Sequence, residues 1–591
     1  MLRHRTTAFV CVCLVAASAA CDRGAKAPTP APAPERADAR VRALADAYLE
    51  GYFQRNPDQV TLYGVPGRHH DALPDNALEA LNVWQAKEDG WLAQAKQIDP
   101  ETIEAPPLRG TYAIVREALD ASIGARVCRN ELWTVSQMVN AWQVQDAYTV
   151  TIQPVGTDEA RKEALARWSQ LPRYVDTEIA NLREGLKAGY SAPKGNVRIV
   201  LDQMDTLIAT PTVESPFDSP SVRDKTPAFV TQFDLLVREQ IVPAFTRYRD
   251  FLRAEYLPAA RETIAVSANP NGAACYDASV RFHSSLPVPA SEVHATGLRE
   301  VEHLDAEMKA IGQRSFAISD VPALLQHART EKRFLFRSSE ELIARSQGAL
   351  ARAKSHMHDW FGLQPKADVV IERYPKFREK NGPNEYNPPA EDGSRPAVFL
   401  INAYQAEKKS RVEAESTAFH ETIPGHHLQG AIALERKSIH PIGRYLGNAG
   451  YQEGWALYAE RLADEMKLFS TDLDRLGMLS SQALRATRLV VDSGIHTLGW
   501  TRQQAIDFML AHTAEDHADV VSEVDRYIIY PGQATAYMLG KLEISKARDE
   551  ARRSMGPKFD IRSFHDRVLE DGAVPVSFLH QKIRAWAAAS R

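Results

Sequence analysis

The chain has 591 residues, with 71 basic and 76 acidic side chains for a net charge of −5, and 44% of its residues are hydrophobic. This composition excludes a disordered or collagen-like protein, and the lack of a basic surplus argues against a nucleic-acid partner. At this length either one large helical domain or two to four ordinary domains can bury a sizeable core.

At the N-terminus, Arg3 and Arg5 precede an apolar run from Ala8 to Ala17 that ends in Ser18, Ala19, Ala20 and Cys21. Residues 1–20 therefore read as an export signal peptide. The run is too short to span a bilayer, and no later segment offers the ~18 uninterrupted apolar residues a membrane helix needs. The small residues before Cys21 resemble a bacterial lipoprotein processing site. That resemblance predicts lipidation of Cys21 and an exported protein, periplasmic or at the cell surface, held to the membrane by its anchor. Ser18 stands where such sites usually carry Leu, and Ala17-Ser18-Ala19 would equally serve an ordinary signal peptidase. Residues 21–36, rich in Pro and Ala from Asp22 to Glu35, read as a stiff, extended tether. Cys128 and Cys275 remain in the body of the chain; an oxidising compartment predicts that they pair, the alternative being two buried thiols. Two cysteines this far apart make a poor zinc site, so metal donors are to be sought among His and carboxylate side chains.

From Ala37 onward helical spacing dominates, and the expected fold is predominantly α. The pair His69-His70 reads as a polar turn rather than a metal site. One clear helix is expected from Ser338 to Trp360, where Ser338 and Glu341 suggest a capping box and Leu342, Ala349, Ala353, Met357 and Trp360 trace one apolar face. Apolar, β-branched runs at Asp368 to Arg373 and Ala397 to Asn402, separated by a Pro/Gly/Asn-rich stretch, predict two strands of a small sheet. No solenoid repeat is present. Residues 37–591 read as one domain, with at most a division near Gln364 into segments 37–364 and 365–591.

The stretch Phe419-His420-Glu421-Thr422-Ile423-Pro424-Gly425-His426-His427 carries the chemistry. In a His-Glu-x-x-His zinc helix, two histidines four residues apart share a face and the adjacent Glu activates water. Here position i+4 is Pro424, which has no ligand atom, and the next histidines lie at i+6 and i+7. In a regular helix His427 would return to the face of His420 two turns away, too far for a shared ion at ~1.5 Å rise per residue. A distortion at Pro424-Gly425 is required, since proline removes a helix bond and clashes with the preceding turn. A two-residue bulge there would bring His426 to the i+4 place. His420 and His426 are thus the expected ligands, with His427 as the alternate.

A three-ligand catalytic zinc site needs one more donor. Glu453, in Gln452-Glu453-Gly454-Trp455-Ala456-Leu457-Tyr458-Ala459-Glu460, lies 27 residues after His426 and is the expected third ligand; Gly454 beside it favours close helix approach, and Glu460 is the rival. Bound Zn2+ would bring a water toward neutral pKa and Glu421 would take its proton. A further donor is needed for the developing oxyanion. The candidates are Tyr537 first and His496 second, ahead of Tyr527 and Tyr530. Arg488 could hold a substrate carboxylate or form an intrahelical pair with Asp492. The strand from Ala397 to Asn402 could offer an edge to an extended peptide.

Taken together, the His-Glu-x-x-Pro-Gly-His-His run, the Glu-Gly-Trp-Ala-Leu-Tyr-Ala-Glu run and Arg526-Tyr527 to Tyr537 resemble the bacterial family known as domain of unknown function 885. The resemblance implies a mostly helical zincin-like fold around a zinc cleft. Glu-Gly-Trp-Ala is also similar to the Glu-Gly-Phe-Ala segment that bears the third zinc ligand in the aminopeptidase N family, which again points to Glu453. The expected function is that of an exported, zinc-dependent metallopeptidase acting on a peptide substrate, with Glu421 as general base. The competing readings are a metal-dependent amidase or esterase on a non-peptide substrate, and a binding lipoprotein without turnover. No motif marks a nucleotide, flavin or haem site, and no Gly-x-Ser-x-Gly elbow supports serine hydrolysis.

Overall fold

The helical periodicity is realised along nearly the whole chain. The computed structural model describes residues 36–138, 141–374, 379 and 384–590. The signal peptide, Cys21 and the tether up to Glu35 lie outside the described residues. Among those described, no helix is long and apolar enough to cross a membrane.

In chain order, the elements that frame the site are α1 (Ala37–Arg55), α2 (Pro106–Ala125), α3 (Gly272–Ser284), α4 (Ala290–Ile311), α5 (Ser339–Trp360), β1 (Val369–Arg373), β2 (Glu385–Asn387), β3 (Ala397–Ile401), α6 (Ala414–Glu421), α7 (His426–Glu435), α8 (Ala449–Glu465), α9 (Asp472–Leu498), α10 (His517–Ile529) and α11 (Ala536–Met555). Their ends follow from local chemistry. Ser338 Oγ caps α5 by accepting the Glu341 N–H, as the sequence suggests. The reciprocal half of the capping box is displaced by one residue, because the Glu341 carboxylate accepts the Arg337 N–H. Asn448 caps α8 through the Tyr451 N–H, and Thr471 caps α9 through the Asp474 N–H.

Two of the three strands are those expected. β3 is central, running parallel to β1 with Ile371 opposite Phe399 and antiparallel to β2 with Tyr386 opposite Phe399. The alternation of β3 puts Ala397, Phe399 and Ile401 into the core. Because β3 is paired on both sides, it offers no edge to a peptide; the outer strands are β1 and β2. The extra strand β2 is three residues of Glu-Tyr-Asn inside the Pro/Gly/Asn-rich stretch, too short and polar to show a period.

The two largest of three hydrophobic cores organise most of the helices, and both draw on residues from either side of Gln364. One contains Val41, Leu108, Tyr451, Trp455, Tyr458 and Ile544; the other contains Trp168, Phe245, Leu457, Leu489 and Met538. Helix α8 contributes to both, which explains why Tyr451 and every residue from Gly454 to Glu460 are buried. Cys128 and Cys275 form a disulfide, tying α3 to the chain following α2.

The contact between α8 and α11 is made backbone to backbone through Gly450, Gly454 and Gly540. A Cβ at Gly540 would lie 1.7 Å from the Gly450 carbonyl oxygen, and one at Gly454 would lie 2.5 Å from the Gly540 carbonyl carbon. Gly540→Ala should therefore push the two helices apart and cost about 3 kcal/mol, more than the ~1 kcal/mol that alanine gains in helix propensity. Urea denaturation of the variant should show this loss; unchanged stability would mean the contact is looser than described.

Candidate metal centre

The distortion at Pro424 is larger than a bulge. Helix α6 ends at Glu421, and α7 begins at His426, so Thr422 to Gly425 form a turn that contains a cis Ile423–Pro424 peptide bond. The turn is closed by its own bonds: the Gly425 N–H reaches back to the Phe419 carbonyl at 3.0 Å and the His427 N–H to the Thr422 carbonyl at 3.0 Å. Trp455 of α8 donates its indole N–H to the Pro424 carbonyl at 2.9 Å. Gly425 is required because a Cβ there would stand 1.9 Å from the His420 carbonyl oxygen.

This turn brings His420 and His426 together with their rings perpendicular and centroids 4.8 Å apart. Glu453 of α8 completes the group. Its Oε2 lies 3.3 Å from His426 Nε2 and 3.8 Å from His420 Nε2, and all three offer donor atoms within 4.8 Å of one another. Donors about 2.1 Å from a tetrahedral ion stand about 3.4 Å apart, so these separations suit zinc. The donor chemistry fits too. Glu453 Oε2 is buried and faces only the two histidine nitrogens, which hold its carboxylate ionised, a state in which a cation can replace the histidine protons.

The remaining nitrogen of His420 is also accounted for. Its Nδ1–H donates to Glu460 Oε1 at 2.8 Å, and the Glu460 carboxylate further accepts from Ser481 Oγ at 3.1 Å and Gln482 Nε2 at 3.0 Å. Glu460 is therefore a positioning group that fixes the His420 tautomer and leaves Nε2 toward Glu453; it is not placed as the rival ligand. His427 points away from the group. Its Nε2–H donates to the Ala367 carbonyl at 3.0 Å, its Nδ1 takes the Tyr386 hydroxyl at 3.2 Å, and burial pushes its pKa down to about 4. It cannot serve as the alternate ligand while both ring nitrogens are so occupied.

Glu421 sits between the two histidines in sequence, and burial pushes its carboxyl up while the nearby His420 and His426 oppose the shift. Tyr537, partly buried, feels the Glu453 carboxylate, which together with burial raises its pKa. His496 lies outside the group. It is fully buried, with Nδ1 accepting the Val266 N–H at 2.9 Å and Nε2–H donating to the Tyr527 carbonyl at 3.0 Å, so it stitches α9 to α10 and cannot act as an oxyanion donor. Tyr527 is likewise buried, its hydroxyl bonded to Glu523 at 2.5 Å, and Tyr530 packs on the His283 ring. Arg488 does not pair with Asp492 along its helix. It reaches Glu523 of α10 at 2.7 Å, and Asp492, pushed up to about 7 by burial, accepts the Gly532 N–H.

Two neighbours escaped the sequence reading. Tyr386 of β2 stacks on the His426 ring at 6.4 Å between centroids, and Arg485 of α9 donates to Ser481 Oγ at 2.7 Å, behind Glu460. Nothing in the sequence around either residue sets it apart from other polar loop or helix positions. A second trio, His69, Glu159 and Glu163, also clusters, but it is largely exposed and His69 is bonded directly to Glu163 at 2.6 Å.

The model of the family described as "Bacterial protein of unknown function (DUF885)" matches residues 57–583. The chain belongs to this family. Among solved structures, a candidate lipoprotein from Colwellia psychrerythraea is similar over 93% of this chain and 99% of its own, at 24% identity and a TM-score of 0.85. A candidate lipoprotein of unknown function from Shewanella oneidensis is similar over 92% and 99%, at 17% identity and a TM-score of 0.71. At these identities the likeness is one of fold. No curated protein matches.

Two outcomes are expected of the metal centre. Glu460→Gln should weaken zinc binding by about 10- to 100-fold, because the bond that orients His420 becomes a weaker neutral one; competition with a chromogenic chelator measures this. In the metal-free chain, burial alone would push His420 down, but Glu453 and Glu460 outweigh it and carry its pKa up to about 9. Zinc must displace that proton, so at pH 7 binding should release about one proton and affinity should climb toward pH 9. Calorimetry in buffers of different ionisation enthalpy reads the released proton directly.

Proposed function

We propose that the chain is an exported zinc-dependent metallopeptidase with a zincin-like site. The observation that carries this reading is the convergence of His420 Nε2, His426 Nε2 and the buried Glu453 Oε2, with His420 braced from behind by Glu460 and Glu421 adjacent in sequence. Those three atoms would hold the ion. Bound zinc supplies Lewis acidity and an acidified water.

The chain's own residues do the rest. Glu421 accepts the proton of the attacking water and delivers it to the departing amine, a role suited to a carboxyl raised by burial. Tyr537, kept protonated by burial and by Glu453, donates its O–H to the substrate carbonyl oxygen as that atom gains charge. The outer strand β2 carries Tyr386 against His426, so an extended peptide added along β2 would run past the metal group. Export follows from the reading of residues 1–20, and tethering from Cys21; both structural relatives are described as candidate lipoproteins.

The test is metal analysis followed by turnover. The mature chain should hold about one zinc, lost in His420→Ala and in His426→Ala. Glu421→Gln should keep the zinc yet lower kcat on a peptide library by about 1,000-fold. Equal turnover by the wild type and Glu421→Gln would remove the catalytic assignment and favour a binding lipoprotein.

A further inference from the structure

Helix α9 is buried at every position from Leu476 to His496 except Arg485. Arg485 is thus the one side chain in that stretch that solvent partly reaches. Arg485 stands beside the metal group. Its Nη1 donates to Ser481 Oγ, Ser481 donates to Glu460, and Glu460 holds His420, so two side chains separate the guanidinium from the imidazole.

One turn further along lies Arg488. Its Nε donates to the Tyr527 hydroxyl at 2.9 Å and its Nη2 to Glu523 at 2.7 Å, but its Nη1 is buried without any hydrogen-bond partner. The Tyr537 ring links the two arginines, with the Arg488 guanidinium 4.5 Å and the Arg485 guanidinium 6.0 Å from its centroid. Arg526 joins the same network through Glu523. Arg488 and Arg526 therefore share one committed carboxylate, Glu523. The acids toward Arg485 are Glu421, Glu460, which is engaged with His420, and Glu413 and Glu515, whose carboxyls bond to each other. A buried N–H without an acceptor is unfavourable until an anion arrives.

We propose that Arg485 and Arg488 bind the free α-carboxylate of a peptide C-terminus, so that the chain acts as a carboxypeptidase removing one or two residues per cleavage. The inference rests on the metallopeptidase reading above and names its substrate class. Planar guanidinium forks match a carboxylate with paired charge-assisted bonds. The position of the pair, reached through Tyr537 on one side and Ser481-Glu460 on the other, puts the anchored terminus close to the scissile bond. In the reaction the peptide C–N bond breaks, the water oxygen bonds to the acyl carbon, and the leaving nitrogen takes the proton that Glu421 received. The products are a shortened peptide with a new carboxylate and a free amino acid or dipeptide.

An Asp or Glu side chain would offer the same chemistry, so the experiment separates the two sources. The zinc-loaded mature chain is given matched peptides that end in a free acid or an amide, with and without internal acidic residues, and the products are read by mass spectrometry. Cleavage within the last two residues of the acids, with kcat/KM on the amides at least ~100-fold lower, is the expected result. Arg485→Gln should bring the acid-to-amide ratio toward one whatever its effect on absolute rate. Arg488→Lys, which keeps the charge in the buried network but not the unpaired fork, should lower the ratio about 10-fold. The Glu421→Gln variant, holding zinc without turnover, should bind an acid at least ~100-fold tighter than its amide. Acids and amides cleaved equally, or cleavage directed by internal acidic residues, would overturn the proposal while leaving the metallopeptidase reading intact. Failure to cleave any peptide with zinc bound removes both.

Discussion

The bond from His420 Nδ1 to Glu460 fixes the geometry on which the rest of the centre depends. It selects one tautomer, aims Nε2 at Glu453, and comes from the same helix that supplies Glu453 itself. Seven residues separate the two glutamates, so two turns of α8 hold both ends of one imidazole. A single rigid element thus sets the ligand and the brace together. Trp455, between them, anchors the turn that carries His426. An error in the placement of α8 would disturb all three donors at once.

That placement is secured by close packing together with buried bonds such as those of Tyr451 to Val568 and Tyr458 to His565. Gly450 and Gly454 let α11 approach within backbone contact, and the aromatic residues Tyr451, Trp455 and Tyr458 fill the core on one side while Leu457 reaches the core on the other. Interiors packed to this density resist small displacements. The charged groups of the cleft are therefore mounted on a stiff frame, which is what a site needs if its donors must stand at tenths of an ångström from the required positions.

The polar groups behind the metal donors form a second level of order. Glu460, Ser481, Gln482 and Arg485 connect α8 to α9, while Arg488, Glu523, Tyr527 and Arg526 connect α9 to α10. Most of these groups satisfy one another. The exceptions are Gln482 Oε1, Arg485 Nε and Arg488 Nη1, which have no hydrogen-bond partner. Unsatisfied polar atoms of this kind are uncommon in native interiors, and the two cationic ones, on the arginines that flank Tyr537, suit an anionic ligand.

Much of this was legible in the sequence. Periodicity gave the helical class, and the β-branched runs gave β1 and β3. The residue types at 420, 421, 426 and 453 limited the donors, because Pro424 cannot ligate and a helix rise cannot bring His427 back to His420. Other features depended on contacts between segments remote in sequence. Glu453 and Glu460 lie on one helix and look alike as a pattern; only the approach of α6 and α9 makes one a candidate metal donor and the other a brace for His420. His427 and His496 carry the same functional group as His420, yet backbone carbonyls at Ala367 and Tyr527 engage their nitrogens. The edge strand was misplaced because register and strand order are set by pairing, which a strand's own residues do not encode. The sequence by itself determined which atoms could bind a metal, since that is a property of side-chain chemistry. Only the tertiary structure decided which of them converge, since burial and hydrogen-bond competition are settled between helices and not within them.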